Sequence, residues 1–104
     1  MTETQLTRKI ITLLRSVPNS FVYKVHGGAM QMAGLPDVFF CCDTMRGRAV
    51  WFEIKVGINK PTALQNEIMR QLRAAGCEAF VVYEVSHVAK ILEMLILPAK
   101  SEEK

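Results

Sequence analysis

Apolar side chains recur along this chain at two periods, and the change from one to the other marks out its elements. Leu6, Ile10, Leu13, Leu14 and Val17 fall at helical intervals before Pro18-Asn19-Ser20 closes the stretch. Thr2 and Gln5 have capping-box spacing, which predicts a first helix starting near Thr2. Glu3 precedes Leu6 by three residues and Ile10 by seven, so it projects toward the buried side of that helix. A first-turn glutamate also suits the helix dipole. Strands are then predicted over Phe21 to Val25, Asp37 to Cys42 and Ala49 to Val56. Between them lie a Gly- and Met-rich loop, His26 to Pro36, and a turn, Asp43 to Gly47. After a loop from Gly57 to Lys60, Pro61 is placed in the first turn of a second helix. Its buried face is expected to be Leu64, Ile68, Leu72 and Ala75, with Gly76 as the stop. Ala79 to Val85 reads as a fourth strand. Ser86 is the expected cap of a last helix, whose apolar residues Val88, Ile91, Leu92 and Leu95 run up to Pro98.

The predicted order is helix, three strands, helix, strand, helix. Short connections make the first three strands antiparallel neighbours, and a helix between the third and fourth strands implies a right-handed parallel crossover. The fold class is therefore α/β, a central mixed sheet flanked by helices.

The 104 residues fit one domain, read as residues 1–98 followed by a frayed, charged tail over 99–104. Half of the residues are hydrophobic, enough for a core without covalent staples. A domain of this size buries a modest share of its surface, which leaves room for dimerisation. The three cysteines, Cys41, Cys42 and Cys77, suit neither a disulfide framework nor a zinc site. Adjacent Cys41 and Cys42 are expected to be reduced, one on each strand face. That chemistry, a polar N-terminus without a secretory pattern and the lack of a membrane-length apolar run predict a cytoplasmic protein with no membrane partner. A net charge of +3 is weak evidence for nucleic acid by itself. Its placement says more, because Arg46, Arg48, Lys55, Lys60, Arg70 and Arg73 fall in the stretch that also holds Glu53.

Glu53 and Lys55 alternate with Phe52, Ile54 and Val56 and so share a strand face with Trp51, their Cα atoms roughly 7 Å apart. Alone, such a pair is more often a structural ion pair than a site. Asp37, after Gly34-Leu35-Pro36, has the same ordinary reading as a turn residue. Adjacent strands, however, could place Asp37 beside Glu53, where two carboxylates repel unless a cation lies between them. Oxygen ligands favour Mg²⁺, with Mn²⁺ as a substitute, over zinc, and the Ile54 carbonyl could add another oxygen. Lys55 would then stabilise negative charge on a phosphate or position an attacking water.

At this point the residues resemble a known superfamily. Pro36-Asp37 followed by Glu53-Ile54-Lys55 is similar to the motif of the PD-(D/E)XK nucleases, and more closely to their virus-type replication-repair nuclease (VRR-NUC) branch. That branch joins a glutamate in the first helix, a G-x-P-D, an E-x-K and a glutamine in the following helix. Glu3, Gly34 to Asp37, Glu53 to Lys55 and Gln65 occupy those places in order. Tyr23-Lys24-Val25-His26-Gly27 resembles the branch's first-strand segment, and the likeness spans roughly residues 1 to 90.

The resemblance implies a restriction-endonuclease-like core and Mg²⁺-assisted hydrolysis of DNA. Glu3, Asp37, Glu53, Lys55 and Gln65 would be catalytic, and Asp37, Glu53 and the Ile54 carbonyl would hold the metal. Lys24, His26, Lys60 and Arg70 are the expected DNA contacts. Gln65 lies near the start of its helix, where amides favour anions, yet it is equally placed to be an edge-of-core glutamine. Small stand-alone members imply a homodimer that cuts branched DNA such as Holliday junctions, two-fold symmetry matching paired incisions. The competing expectations are a non-catalytic branched-DNA-binding module on the same fold, and a small partner protein with a structural ion-pair network.

Overall fold

A computed structural model describes residues 1–28 and 31–101, the side chains of 97–101 excepted. Its elements are α1 (Glu3–Arg15), β1 (Ser20–Lys24), β2 (Val38–Cys42), a 3-10 turn (Asp43–Met45), β3 (Val50–Ile54), α2 (Ala63–Ala74), β4 (Glu78–Val82) and α3 (Val85–Ser101). The strands lie side by side in the order β1-β2-β3-β4. The first two pairings are antiparallel and β3 pairs with β4 in parallel, as a helical crossover requires.

The register fixes two faces. Even-numbered strand residues, among them Val38, Phe40, Val50, Phe52, Ile54 and Val82, form the main core with Leu6, Ile10 and Leu14 of α1 and Val88 and Ile91 of α3. Odd-numbered residues point to the other face, where α2 lies along β4 and leaves β1 and β2 uncovered. There Phe21 packs edge-on to Phe39, and Phe39 edge-on to Trp51, with Phe21 59% and Tyr23 49% exposed. Cys42 is buried, Cys41 is half-buried on the opposite face, and all three cysteines are free, in agreement with the period-2 reading. No helix among the described residues is long and apolar enough to cross a membrane.

Capping chemistry sets both early helix starts. The Thr2 hydroxyl accepts from the Gln5 N–H and the Gln5 side chain accepts from the Thr2 N–H, the expected box. The same box, absent from the sequence reading, recurs between Thr62 and Gln65. It starts α2 at Ala63, so Pro61 precedes the cap instead of occupying the first turn. The buried residues of α2 are Ile68 and Met69, whereas Leu64 is 49% exposed and Ala75 is the C-cap. The face is displaced because α2 packs mainly along β4 and the Gly34 loop. Gly76 ends the helix at φ 97°, as expected. Ser86 does not cap α3: the helix begins at Val85, and the Ser86 hydroxyl donates to Glu84 Oε1 at 3.0 Å. α3 also continues beyond Pro98 to Ser101. A proline lacks an N–H donor, but this removes only one helical hydrogen bond near a helix end. The expected tail thus divides into Ala99 to Ser101, which continue α3, and 102–104, outside the described residues.

Candidate active site

The β2–β3 register runs Val38 to Phe52 and Phe39 to Trp51, so its continuation sets Asp37 opposite Glu53. Two backbone contacts hold Asp37 there. Its carbonyl accepts from the Val25 N–H at 2.8 Å, and its Oδ2 accepts from the Ile54 N–H at 2.7 Å. The carboxylate thus closes the end of the β2–β3 ladder in place of a backbone carbonyl. Beyond β3, the Lys55 N–H donates to the Val82 carbonyl at 3.1 Å, which extends the strand alternation and keeps Lys55 on the face of Glu53. Lys55 Nζ stands 3.3 Å from Glu53 Oε2.

Glu53 is the unusual member. Its side chain is 1% exposed, and Oε1 has no hydrogen-bond partner while Oε2 faces Lys55. Burial of the carboxylate is the main cause that pushes its pKa from 4.5 up to about 7, the Asp37 charge adds to the rise, and Lys55 opposes it. Glu3 also contributes to the rise, so its charge reaches the same site. Lys55 therefore compensates the buried Glu53 carboxylate only in part.

That imbalance bears on the expected metal. Among the described residues, no group of three or more His, Cys, Asp or Glu is placed to hold an ion. The expected set has two carboxylates and one backbone oxygen, and it fits a hard cation on separate grounds. It offers an unpartnered, buried carboxylate oxygen beside a second carboxylate, with no nitrogen or sulfur donor.

The loop before Asp37 is seated by Gly34. Its φ is 88°, and an added Cβ would lie 2.8 Å from Leu64 Cγ and 3.0 Å from Ile68 Cγ1. Only glycine permits this approach to the first turns of α2. Glu3, Lys24 and Asp37 line one open cleft of about 360 Å³ between α1 and β1. Val25, His26, Gly34 and Asp37 belong to a second of about 310 Å³ on the other side of Asp37. Asp37 thus joins the two clefts.

The structure therefore brings together Asp37, Glu53 and Lys55, with Ile54 supplying its N–H, and places Glu3 and Lys24 at the adjoining cleft. Glu3 is exposed there, on the α1 side that faces the sheet. Lys24 Nζ donates to the Val25 carbonyl at 3.0 Å. His26 packs edge-on to Tyr23. Gln65 uses its side-chain oxygen in the α2 capping box and lines neither cleft. Arg70 is paired through two hydrogen bonds with Glu67, and Lys60 is exposed outside both clefts. The cleft-lining Arg8 and Arg15 were not singled out in the sequence. Their separation of two helical turns, in step with Thr4 and Thr12, was the available signal.

Solved structures share this fold. One, described as a VRR_NUC domain, matches with a TM-score of 0.72 and 23% identity over 88% of this chain and 94% of the other. A second, described as a VRR_NUC domain protein, matches with a TM-score of 0.73 and 20% identity over 92% of this chain and 88% of the other. Comparison with protein-family models finds no match, and neither does comparison with curated proteins. The small α/β architecture, a four-stranded mixed sheet with three helices, is thus the one found in these VRR_NUC neighbours.

Proposed function

We propose that this chain is a metal-dependent DNA endonuclease that hydrolyses phosphodiester bonds at the Asp37–Glu53–Lys55 site. The supporting observation is the buried, unpartnered Oε1 of Glu53, held beside Asp37 at a strand end that opens onto two clefts. A structural ion pair would satisfy both oxygens, whereas a site built to receive a cation leaves one open. The fold shared with the VRR_NUC structures supports the same reading.

Asp37 and Glu53 would hold Mg²⁺ or Mn²⁺ together with the Ile54 carbonyl. When bound, the ion neutralises charge on the phosphoryl oxygens and makes a nearby water more acidic. Asp37 is oriented for this role by the Ile54 N–H, which fixes one oxygen and leaves the other directed away. Lys55 is oriented by Glu53, which sets its side chain next to the place where the phosphate would sit. Its ammonium stabilises the negative charge that builds on the non-bridging oxygens as water adds to phosphorus and the P–O bond to the leaving oxygen breaks. Glu3, across the α1–β1 cleft, can orient water through its carboxylate.

Within this reading the substrate is branched DNA, and the active form is a cytoplasmic homodimer. The exposed Phe21 and Tyr23 on the uncovered sheet face, next to the unpaired edge of β1, support self-association. Two-fold symmetry would present paired sites to a four-way junction. The test is incubation of the pure protein with a labelled four-way junction, a flap and a linear duplex, in Mg²⁺, Mn²⁺ or a chelator. Cleavage should require the metal, vanish in Asp37→Ala and favour the junction. Cutting in chelator rules out the metal mechanism. Equal cutting of all three substrates rules out structure selectivity, and a monomer at micromolar concentration by sedimentation rules out paired incision.

A further inference from the structure

The geometry points to the α1–β1 cleft as a track for the phosphates that flank the scissile bond, with Arg8 and Arg15 as its principal contacts; this rests on the nuclease reading of the Asp37 site. The cleft of about 360 Å³ is lined by three cations and two carboxylates. Arg8, Arg15 and Lys24 line it, and Glu3 and Asp37 stand at the site. Thr4, Arg8, Thr12 and Arg15 follow one another at helical spacing along the exposed side of α1, so the cleft follows the helix axis.

The two arginines are free to bind, whereas Lys24 Nζ is engaged by the Val25 carbonyl. Among the described residues, Arg8 and Arg15 form no ion pair, in contrast to Arg48 with Glu78 and Arg70 with Glu67. The track also has a suitable length. Eleven helical steps from Thr4 to Arg15 rise by roughly 16 Å. One DNA strand advances about 3.4 Å per nucleotide along its axis, so roughly five nucleotides fit. Arg8 and Arg15 are about 10 Å apart along α1, a spacing of about three phosphates. Arginine suits this task because its planar fork binds phosphate through two oxygens. Phosphate contacts of this kind carry no sequence information, so binding along the track is independent of base sequence.

The test uses the full chain and binding of a fluorescent four-way junction and a duplex, read by anisotropy from about 50 to about 200 mM KCl. It is run in EDTA and again with Ca²⁺. The cleft variant is Arg8→Gln with Arg15→Gln. The control, Lys9→Gln with Lys90→Gln, removes the same charge from exposed positions outside the cleft. Each phosphate contact contributes a slope of about −0.9 in log K against log salt. Loss of both arginines should therefore make the slope shallower by about 1.8 and weaken binding at low salt, with the control changing it by less than half as much. Circular dichroism checks folding, and Lys24→Gln provides a third variant if the double variant does not fold. Equal effects of the two pairs, or an unchanged slope in the cleft variant, overturn the track even when the wild-type chain cuts DNA. A wild-type chain that binds neither DNA overturns both the track and the nuclease reading. A slope change without any cleavage by the wild-type chain in Mg²⁺ supports the track and refutes the nuclease.

Discussion

Replacing Glu53 with glutamine should stabilise the protein at pH 8 and have little effect at pH 4.5. In the folded chain, burial and Asp37 raise the Glu53 pKa from 4.5 to about 7. The difference of about 2.5, at 1.36 kcal/mol for each pKa unit, equals roughly 3 kcal/mol. Below pH 4.5 the carboxyl is protonated both folded and unfolded, so the folded chain bears no cost. Between pH 4.5 and about 7 the unfolded chain has released the proton while the folded chain retains it. Stability therefore falls as pH rises through that window, and above it the full cost is present. Glutamine keeps the shape and removes the charge; because the pKa of about 7 already includes the Lys55 attraction, up to roughly 3 kcal/mol should be recovered. For a chain of this length each kcal/mol moves Tm by about 4–8 °C. The assay is thermal unfolding of both proteins in EDTA at half-unit pH steps. A variant whose curve runs parallel to the wild type, or lies below it at pH 8, would refute the assignment of Glu53 as an uncompensated buried charge.

Mg²⁺ should raise the wild-type Tm at pH 8 and raise that of Glu53→Gln far less, because binding to the folded state alone is stabilising; equal shifts in the two proteins would place the ion elsewhere. Asp37→Ala should remove the acceptor of the Ile54 N–H and cost about 1–3 kcal/mol in urea unfolding, with loss of cleavage. Gly34→Ala should be destabilising by more than about 1 kcal/mol and lower activity, since the new methyl meets Leu64; an unaltered Tm would show that the loop is not seated as described. Thr62→Ala and Gln65→Ala should each lose about 1 kcal/mol with the capping box. A fall in kcat for Gln65→Ala alone would identify a role beyond the cap.

The sequence carried much of the fold because its elements bury one face each. Leu6, Ile10 and Leu14 sit on the core side of α1, and the alternation through Phe52, Glu53 and Ile54 places Glu53 opposite the core. The pairing of Asp37 with β3 also follows from strand order and the chemistry of its side chain. Other features depend on which surfaces are covered. Leu64 and Ala75 match a helical stripe, yet Leu64 meets only the Gly34 loop and stays 49% exposed, and Ala75 is exposed at the helix end. Ser86 has the right chemistry for a cap, but only Tyr83 and Glu84 separate β4 from α3, so Ser86 already lies inside the helix. Gln65 was read for its position near a helix start, while the reciprocal partner Thr62 explains its side-chain oxygen. Arg70 was read for its charge, and its pairing with Glu67, three residues earlier, was equally visible in the sequence. Arg8 and Arg15 were hidden because their significance arises from a cleft between α1 and β1, which no single segment shows.

Single-turnover cleavage of a labelled four-way junction by the wild type, Asp37→Asn and Lys55→Met, in Mg²⁺ and in EDTA, tests the proposed chemistry most directly. The account predicts Mg²⁺-dependent cutting by the wild type and a loss of roughly 100-fold or more in either variant, comparable to removal of an electrostatic stabiliser from an active site. Cutting that persists in EDTA, or proceeds at the wild-type rate without the Asp37 carboxylate or the Lys55 ammonium, would contradict it.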